Sequence, residues 1–402
     1  MHYERIGSTN GQIPIFAAMS KQFFHKDFKL GILGGGQLGR MLIQEAVNFN
    51  VFSRVLDPAA NAPCQFLASE FEVGSLQDYD TVMAFGRKAD VVTIEIEHVN
   101  VDALEQLESE GIAVYPQPRV LRMVQDKGLQ KNFYRDSGLP TAPYHLVENL
   151  EEAKALLSQG PFMQKMRTGG YDGRGVTPFR SEADFDKAFD APSVLEAFVD
   201  LEKEISVIVA RNVHGEVKTF PVVELEFNPE ANLVEFLFAP ATVSEAIESE
   251  ANALAVQLVE ELEFVGLLAV EMFVTQTGEV LINEIAPRPH NSGHHSIEAN
   301  YTSQYEQHLR AILGMPLGAT DTLCPAVMVN LLGHGDYTGD ATYTGLEAAL
   351  QMPGVKLHLY GKKTTKPFRK MGHATILASD LATAKTRAHE VKNTLQVISS
   401  AP

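Results

Sequence analysis

Two acidic residues, Glu271 and Glu284, lie on neighbouring apolar stretches that the dipeptide Thr277-Gly278 separates. If that dipeptide is a two-residue hairpin turn, Thr275 faces Val280 and Glu271 faces Glu284. Facing side chains of an antiparallel pair lie roughly 4.5–5.5 Å apart, so the repulsion between two carboxylates there needs a compensating cation. A divalent ion such as Mg²⁺ binds a few carboxylate oxygens together with nucleotide phosphates, and it is favoured over protonation of one carboxylate or a neighbouring arginine. The spacing therefore predicts a metal site at these two glutamates.

A glycine-rich segment follows Lys165 and has four glycines in the seven positions from 169 to 175. The backbone N–H groups of such a loop can surround a polyphosphate, while the lysine supplies a point charge. The segment does not match the Walker pattern, in which Lys and Ser or Thr follow the last glycine. A phosphate-binding loop of another type is favoured over a plain flexible loop.

Residues 286–295 are polar and cationic, and they directly follow the second acidic stretch. Three histidines, His290, His294 and His295, lie close together, but they lack the helical spacing and the nearby cysteine that would favour zinc. The segment is predicted to be a substrate loop in which Arg288 binds an anion, with an ordinary solvated loop as the alternative.

Positive charge is concentrated at one place in an otherwise acidic chain. The formal net charge is −18, which would repel nucleic acid and anionic lipid unless basic residues cluster locally. Five of them fall within nine positions with no acidic residue among them: Lys362, Lys363, Lys366, Arg369 and Lys370. One short basic cluster favours a single small phosphate over a nucleic acid, and a solvated basic turn is the alternative.

Near the N-terminus, Gly34, Gly36 and Gly39 have the spacing of a dinucleotide-binding turn, and Asp57 follows the last of them by 18 residues. In that interpretation the glycines allow close approach of a pyrophosphate to a helix N-terminus, and the carboxylate binds a ribose. The alternative is that any Rossmann-like sheet needs a tight glycine turn at this point.

The elements that must position these residues begin with alternating strands and helices. Strands are predicted at 30–33, 53–56 and 91–94 with a helix at 37–49, which is typical of βαβ units around a parallel sheet. One helix is predicted over 120–137, ended by Gly138 and by the prolines beyond it. Further along we expect strands at 204–210 and 217–227, a helix at 244–264, a hairpin at 266–285 and a helix at 304–313. The residues after 318 are predicted to form short strands and turns.

Composition limits the class of protein. The 402 residues suffice for two to three domains, and 45 % hydrophobic with 21 % charged residues is ordinary globular usage. Two widely separated cysteines, Cys64 and Cys324, cannot build the disulfide framework of a secreted protein, so a reducing cytoplasm is expected. No uncharged apolar run reaches about 18 residues, so no membrane segment is expected. Residues 1–27 are interpreted as an extension outside the fold.

Taken in order, the motifs resemble one family. The runs K-M-R-T-G-G-Y-D-G-R-G at 165–175, L-I-N-E-I-A-P-R at 281–288, H-N-S-G-H at 290–294 and G-G-G-Q-L-G at 34–39 are similar to those of the 5-(carboxyamino)imidazole ribonucleotide synthases. These are ATP-grasp enzymes of de novo purine synthesis. The similarity covers nearly everything after residue 28.

The resemblance implies a mixed α/β and α+β architecture. We expect a Rossmann-like domain at 28–120, an ATP-grasp domain at 121–318 with a lid at 125–200, and a small β-rich domain at 319–402. It implies that the N-terminal glycine turn lies against the substrate nucleotide and does not bind NAD. It also implies an ATP-dependent carbon–nitrogen ligase that phosphorylates bicarbonate and passes the carboxyl group of carboxyphosphate to the exocyclic amine of 5-aminoimidazole ribonucleotide.

Carried over by position, the resemblance assigns four sets of residues. It assigns ATP to Lys127, Lys165, Gly170, Tyr171, Asp172, Gly173, Arg174, Gly175, Val176, Glu196, Ala197, Phe198, Val199, Glu204, Asn283 and Glu284. Within that set, 196–199 would line the adenine and Glu204 would bind the ribose. It assigns the ribonucleotide to Gln37, Leu38, Glu95, Asn291, Ser292, Lys362, Arg369 and Lys370. It places the reacting groups near Tyr171, Lys165, Arg288 and His290, and the metal, Mg²⁺ or Mn²⁺, at Glu271 and Glu284.

One position departs from the pattern expected in some members, because Lys127 stands where an arginine is expected. The positive charge survives this change, whereas bidentate phosphate binding is lost.

Several alternatives remain beside this resemblance. A formate-dependent glycinamide ribonucleotide transformylase shares the fold but should differ in its lid sequence, and a biotin-dependent carboxylase is disfavoured by the small C-terminal unit. An NAD-dependent dehydrogenase would leave the two glutamates unused, and a nucleic-acid-binding module would explain only residues 362–370. The resemblance further implies a homodimer and a separate mutase for the next step, with no nucleic-acid or membrane partner.

Overall fold

The computed structural model describes residues 22–170, 175–228 and 233–399. Most of the expected N-terminal extension, residues 1–21, lies outside this part of the chain. So do Tyr171, Asp172, Gly173 and Arg174 of the glycine-rich loop. Among the described residues, none of the helices combines the length and the apolar character that crossing a membrane requires.

The N-terminal unit is the predicted parallel sheet, with strand order β3-β2-β1-β4-β5. Its strands are β1 (Lys29–Leu33), β2 (Phe52–Asp57), β3 (Glu70–Val73), β4 (Val91–Ile94) and β5 (Ala113–Val114). Its helices are α1 (Gln37–Asn48), α2 (Tyr79–Gly86) and α3 (Val101–Ser109). The central strands are buried throughout because hydrophobic clusters cover both faces of the sheet, which explains their unbroken apolar runs.

The single helix predicted over 120–137 is wrong, since the chain forms α4 (Pro118–Val124) and α5 (Lys127–Asp136). Asp126 separates them: its Oδ1 accepts hydrogen bonds from the backbone N–H groups of Gly128 at 2.7 Å and Leu129 at 3.2 Å. A capping residue takes extended backbone angles, here φ −123° and ψ 106°, which interrupt a helix. Arg167 holds the same carboxylate with two N–H donors at 2.9 and 2.7 Å. The break places Lys127 in the first turn of α5.

A small antiparallel sheet follows, in the order β6-β9-β7-β8. Its strands are β6 (Tyr144–Val147), β7 (Phe162–Met166), β8 (Val176–Phe179) and β9 (Ser193–Ala197), and α6 (Leu150–Ala155) lies between the first two along the chain. Lys165 pairs with Val176 across β7 and β8, so the glycine-rich loop connects these two strands.

The largest sheet runs in the order β15-β14-β10-β12-β13-β16-β20-β18, with β11 beside β10. Its first strands are β10 (Leu201–Arg211), β11 (Val217–Thr219), β12 (Val223–Asn228), β13 (Leu233–Ala239), β14 (Gly266–Thr275) and β15 (Val280–Ala286). The strand predicted at 217–227 is thus two strands. Pro221 lies between them, and proline cannot donate a ladder hydrogen bond.

Three helices accompany these strands: α7 (Glu245–Glu261), α8 (Ser296–Ala299) and α9 (Gln304–Ile312). The predicted helix 244–264 corresponds to α7, which starts after its capping residue Ser244. Helix α9 packs against the N-terminal unit, where Tyr305, Leu309 and Ile312 join the same buried cluster as Leu30 and Ile32. The N-terminal sheet and the large sheet are therefore held together by a shared core.

After residue 318 the large sheet continues through β16 (Ala326–Leu332), β18 (Val355–Leu359) and β20 (Lys370–Leu377). A small sheet of order β19-β17-β21 contains β17 (Gly339–Thr344), β19 (Thr364–Thr365) and β21 (Gln396–Ser399). Because β13 pairs directly with β16, the backbone ladder crosses the predicted boundary at 318. The domain boundaries stay a prediction.

The expectation of only strands and turns after residue 318 is wrong, because α10 (Leu346–Gln351) and the 14-residue helix α11 (Leu381–Thr394) occur there. Asp380 caps α11 by accepting a hydrogen bond from the Thr383 N–H at 2.8 Å. The buried positions are Ala384, Ala388 and Val391, which are spaced as one helical face but include two alanines. Small side chains made the apolar periodicity weak in the sequence.

His308 on α9 joins three parts of this fold. Its Nδ1 accepts a hydrogen bond from the Leu267 N–H at 3.2 Å, so the ring proton is on Nε2, which donates to Thr93 Oγ1 at 3.0 Å. The imidazole thus links β4, α9 and the start of β14. Burial lowers the pKa of His308 to about 3.

We expect His308 to make folding sensitive to acid. In the unfolded chain His308 takes up a proton near pH 6.5, whereas in the folded chain it stays neutral at that pH. Its contribution to the free energy of unfolding is therefore complete above pH 6.5 and is lost as the pH falls toward 3. Between pH 7 and pH 5 the expected loss is about 2 kcal/mol. Urea unfolding at both pH values should show a smaller loss for His308→Gln, whose amide donates and accepts without titrating. The control is His334→Gln at an exposed histidine, and this variant should lose as much stability as the wild type between the two pH values. An equal loss of stability in His308→Gln and in the wild type would contradict the prediction.

Candidate active site

The predicted pair of glutamates is present, although the predicted register of the hairpin is wrong at its tip. Val274 pairs with Val280, one position away from the expected pairing of Thr275 with Val280. The loop has three residues, 276–278, and ends at Gly278 with φ +84°, a left-handed conformation that suits glycine. A bulge at Asn283 then shifts the register, and Glu271 pairs with Glu284. The extra residue of the loop and the bulge compensate each other.

The two glutamates differ in their surroundings. Burial and the charge of Glu284 raise the pKa of Glu271, whereas the ammonium of Lys127 lowers the pKa of Glu284. Lys127 Nζ donates to Glu284 Oε2 at 2.6 Å. One carboxylate is therefore balanced by a lysine, while the other lies half-buried beside a like charge.

Lys165 reaches the same hairpin from the small sheet. Its Nζ donates to Asn283 Oδ1 at 3.1 Å and to Glu196 Oε1 at 3.0 Å. A small cavity is bounded by Lys127, Lys131, Lys165, Asn283 and Glu284, together with Gln130 and Val194. Three ammonium groups around one small space suit a polyphosphate.

The strand predicted to line the adenine ends at this cavity. The Glu196 carboxylate is buried and faces two lysines, Lys131 and Lys165, whereas the ring of Phe198 is exposed. Glu204 lies nearby on β10, where burial raises its pKa to about 7 against the opposing charge of Lys165. Lys131 is a site residue that the sequence analysis missed, although it follows Lys127 by one helical turn.

The N-terminal glycine turn is filled by carboxylates of the chain itself. Glu95 accepts hydrogen bonds from the N–H groups of Gly36 at 3.0 Å and Leu38 at 3.3 Å. Asp57 accepts from the N–H of Gly35 at 2.7 Å. These N–H groups are the ones that a dinucleotide pyrophosphate would need, so the dinucleotide-binding interpretation does not fit the structure.

Arg288 connects this turn with the hairpin. It follows β15, its Nε lies 2.9 Å from Glu97 Oε1, and its charge lowers the otherwise raised pKa of the buried Glu95. Glu97 was not singled out from the sequence. The glycine turn with Gln37 and Leu38, together with Glu95, therefore lies near Arg288, which directly follows the acidic hairpin.

His290 is oriented by two serines. Ser206 Oγ donates to Ser292 Oγ at 2.9 Å, and the Ser292 hydroxyl lies 3.0 Å from His290 Nδ1, which also accepts the Ser292 N–H at 3.3 Å. The ring proton is then on Nε2, which is 3.7 Å from Glu271 Oε1. Ser292 is fully buried behind His290, and Ser206 is a supporting residue that the sequence analysis missed.

Asn291 is buried, and neither its Oδ1 nor its Nδ2 has a hydrogen-bond partner among the described residues. A buried amide without partners costs free energy unless a ligand or water satisfies it. Asn291 therefore marks a place where a polar ligand fits.

The basic cluster lies across from the hairpin. The charge of Lys370 lowers the pKa of Glu271, so these two side chains share one electrostatic environment. Lys362 Nζ donates to the Lys370 carbonyl at 2.8 Å, and Arg369 Nη1 donates to the carbonyl and hydroxyl oxygens of Thr364 at 2.8 and 2.9 Å. The basic turn is thus braced by its own backbone.

The three neighbouring histidines diverge. His294 accepts hydrogen bonds at Nδ1 from Gln304 and Tyr305, and its ring packs against His373, whereas His290 faces Glu271. In the described ranges, no three metal-binding side chains of the His, Cys, Asp or Glu type converge on one point.

Three family models match the chain in series. They are the ribonucleotide synthetase preATP-grasp domain over 28–125, the ATP-grasp domain over 132–305 and the phosphoribosylaminoimidazole carboxylase C-terminal domain over 326–387. Together with the sheets and the lysine-lined cavity, they define the class: this is an ATP-grasp enzyme, an ATP-dependent ligase.

Known proteins specify the family. The chain is 39 % identical over 367 residues to the N5-carboxyaminoimidazole ribonucleotide synthase of Bacillus subtilis, covering 89 % of this chain and 94 % of that protein. The crystal structure of the synthetase from Thermotoga maritima has a TM-score of 0.86 and 43 % identity, covering 93 % of this chain and all of that one. The Aspergillus clavatus enzyme in complex with ADP and 5-aminoimidazole ribonucleotide has a TM-score of 0.84 and 34 % identity, covering 91 % of this chain and 98 % of that one.

The chain belongs to the N5-carboxyaminoimidazole ribonucleotide synthase family. It spans 65 % of the length of several longer relatives that are named phosphoribosylaminoimidazole carboxylase.

The contact between Gly36 and Glu95 yields a stability prediction. Gly36 has φ −77°, which alanine adopts readily, but an added Cβ would lie 2.3 Å from Glu95 Oε1. The carboxylate would have to move and leave two N–H groups unpaired, so Gly36→Ala should lower the free energy of unfolding by roughly 1–3 kcal/mol. Gly335→Ala is the control, because nothing lies within 4 Å of its added Cβ. Urea unfolding should leave the control within about 0.5 kcal/mol of the wild type; equal effects of both substitutions would contradict the prediction.

Proposed function

We propose that the chain uses ATP and bicarbonate to carboxylate the exocyclic amine of 5-aminoimidazole ribonucleotide through carboxyphosphate. The products are 5-(carboxyamino)imidazole ribonucleotide, ADP and phosphate. The observation that carries this proposal is the acidic pair Glu271 and Glu284: Glu284 borders the lysine-lined cavity, and the charge of Lys370 acts on Glu271. Such a site can hold two anionic substrates against each other.

The carboxylate pair fits a divalent ion. Lys127 balances Glu284, but Glu271 is half-buried with a like charge opposite it, and a second cation would relieve that repulsion. Glu271 and Glu284 would hold Mg²⁺ or Mn²⁺. When bound, the ion supplies neutralisation of charge on the transferring phosphoryl group.

The chain's own residues then divide the work. Lys127 and Lys165 bind the phosphates. Residues 196–199 bind the adenine and Glu204 the ribose. A bicarbonate oxygen attacks the γ-phosphorus, the bond to the ADP oxygen breaks, and carboxyphosphate forms with its charge facing Arg288 and His290.

The second step needs the amine beside the same carboxyl carbon. The amine nitrogen attacks, the bond from carbon to the phosphate oxygen breaks, and the amine gives up one proton. Asn291 supports a polar substrate there because its buried amide has no protein partner among the described residues. Gln37, Leu38, Glu95 and Ser292 line or support that position, and Lys362, Arg369 and Lys370 bind the 5′-phosphate.

Phosphate release tests the reaction. With MgATP, the wild type should release phosphate only when both 5-aminoimidazole ribonucleotide and bicarbonate are present. Glu284→Ala should lower this rate by roughly 100-fold or more, because a charge-stabilising group is lost from the phosphoryl-transfer site. Glu279→Gln is the matched control, an exposed glutamate at the tip of the same hairpin, and it should retain the wild-type rate.

Two results would contradict the proposal. Turnover with glycinamide ribonucleotide and formate would instead identify the transformylase of the same fold. A wild-type rate in Glu284→Ala would remove the acidic pair from the mechanism.

The metal assignment has its own test. ADP should raise the melting temperature of the wild type in Mg²⁺ or Mn²⁺, and EDTA should abolish most of this increase. Glu271→Gln should show the small increase of the EDTA sample even in excess Mg²⁺, because one ligand and one charge are lost. An increase in Glu271→Gln equal to that of the wild type would exclude Glu271 as a ligand.

We also propose that the enzyme acts as a homodimer and hands its product to a separate mutase. The family resemblance supports both statements. Light scattering after size-exclusion chromatography should give twice the mass of 44.1 kDa, and a single-chain mass would contradict the dimer.

A further inference from the structure

Lys131 borders the cavity of the proposed phosphate site. Its side chain, on α5, is only 4 % exposed, and its Nζ lies 2.7 Å from Glu196 Oε2. Glu196 is equally buried, and its other oxygen, Oε1, accepts a hydrogen bond from Lys165 at 3.0 Å. One buried carboxylate is thus shared by two lysines, and of these Lys165 also reaches Asn283.

Lys131, Glu196 and Lys165 form a group of two positive charges and one negative charge, and this ratio affects anion binding. With only one lysine as its partner, a buried carboxylate would neutralise the charge of that lysine. The carboxylate would then compete with a phosphate for the lysine's ammonium group. With Lys131 present, Glu196 is already balanced. The charge of Lys165 is then available to a phosphate.

A second chain of contacts runs from Lys131 to the acidic hairpin. Lys131 Nζ donates to Thr141 Oγ1 at 2.6 Å, and Thr141 Oγ1 donates to the Ile282 carbonyl at 2.7 Å. The Ile282 N–H donates to the Pro140 carbonyl at 2.8 Å. Ile282 directly precedes the bulge residue Asn283, so these bonds hold the segment that places Glu284 opposite Glu271.

We propose that Lys131 is a positioning residue for the nucleotide phosphates. It balances Glu196 so that Lys165 faces the phosphate, and through Thr141 it holds the bulged strand. This inference rests on the proposed function, which assigns the nucleotide phosphates to Lys165.

The proposal has a pH signature. Burial lowers the pKa of Lys131 to about 8; the charges of Lys165 and Lys127 act in the same direction, and the charge of Glu196 opposes it. The charged Glu284 borders the same cavity as Lys131, and the ring of Tyr134 lies 5.9 Å from the Nζ of Lys131. Above this pH Lys131 loses its proton, Glu196 draws Lys165 away from the phosphate, and nucleotide affinity falls.

Calorimetric titration with ADP in excess Mg²⁺, between pH 7 and pH 9.5, tests this. The wild-type Kd should rise over that range, whereas Lys131→Met should bind about 10-fold more weakly at pH 7, a difference of about 1.4 kcal/mol, and show little further change. Lys131→Arg keeps its charge at high pH, so it should lack the alkaline weakening. Lys131→Met/Glu196→Gln removes both charges and should recover most of the affinity lost in Lys131→Met.

The control is Lys356→Met, an exposed lysine on β18, which should match the wild type at every pH. Absence of ADP binding in the wild type would contradict the proposed function and, with it, the phosphate assignment on which this inference rests. When the wild type binds ADP, the variants test the role of Lys131 alone. Wild-type affinity and pH dependence in Lys131→Met would overturn the role of Lys131. So would a double variant that binds no better than Lys131→Met, because the effect would then not pass through Glu196. If Lys131→Met does not fold, the comparison of the wild type with Lys131→Arg decides, and an unchanged alkaline weakening in Lys131→Arg overturns the proposal.

Discussion

Repulsion between Glu271 and Glu284 is the constraint around which the site is arranged. Two carboxylates face each other across one strand pair, and cations approach them from separate parts of the chain: Lys127 from a helix, Lys165 from the small sheet and Lys370 from the basic turn. A buried carboxylate without a partner would take up a proton, and it would then bind a metal ion poorly. Lys127 keeps Glu284 ionised, whereas burial raises the pKa of Glu271, and a metal ion at the pair would favour the ionised form of both.

At the junction between the N-terminal sheet and the large sheet, a buried carboxylate is again stabilised by partners from separate parts of the chain. Glu95 fills the glycine turn and depends on two backbone N–H groups and on the charge of Arg288, which itself follows the acidic hairpin. His308 adds a neutral link between the two sheets, and helix α9 adds a shared apolar core. The residues proposed for the ribonucleotide and those proposed for ATP are therefore positioned by one connected interior, and Lys131 links the small sheet to it.

In the acidic hairpin, the predicted pairing of Glu271 with Glu284 is correct although the predicted register at the hairpin tip is wrong. A two-residue turn at Thr277-Gly278 predicted Glu271 opposite Glu284, and the structure has a three-residue loop and a bulge at Asn283 that cancel each other. The bulge is held by Pro140 and Thr141, which are distant in sequence, so local patterns contained no sign of it. The break between α4 and α5 has a similar origin, because Arg167 and the capping carboxylate of Asp126 override a continuous helical pattern.

The sequence by itself determined the parallel N-terminal sheet, the acidic hairpin, the basic cluster and the family, because apolar periodicity, turn residues and short motifs are local properties of the chain. Tertiary structure alone decided which charges meet. Glu95 fills a turn that the glycine spacing offered to a phosphate, Ser206 orients His290 through Ser292, and Lys131 balances Glu196. Each of these contacts joins residues far apart in sequence, and the energy of a buried charge depends on partners and burial that only the folded chain creates.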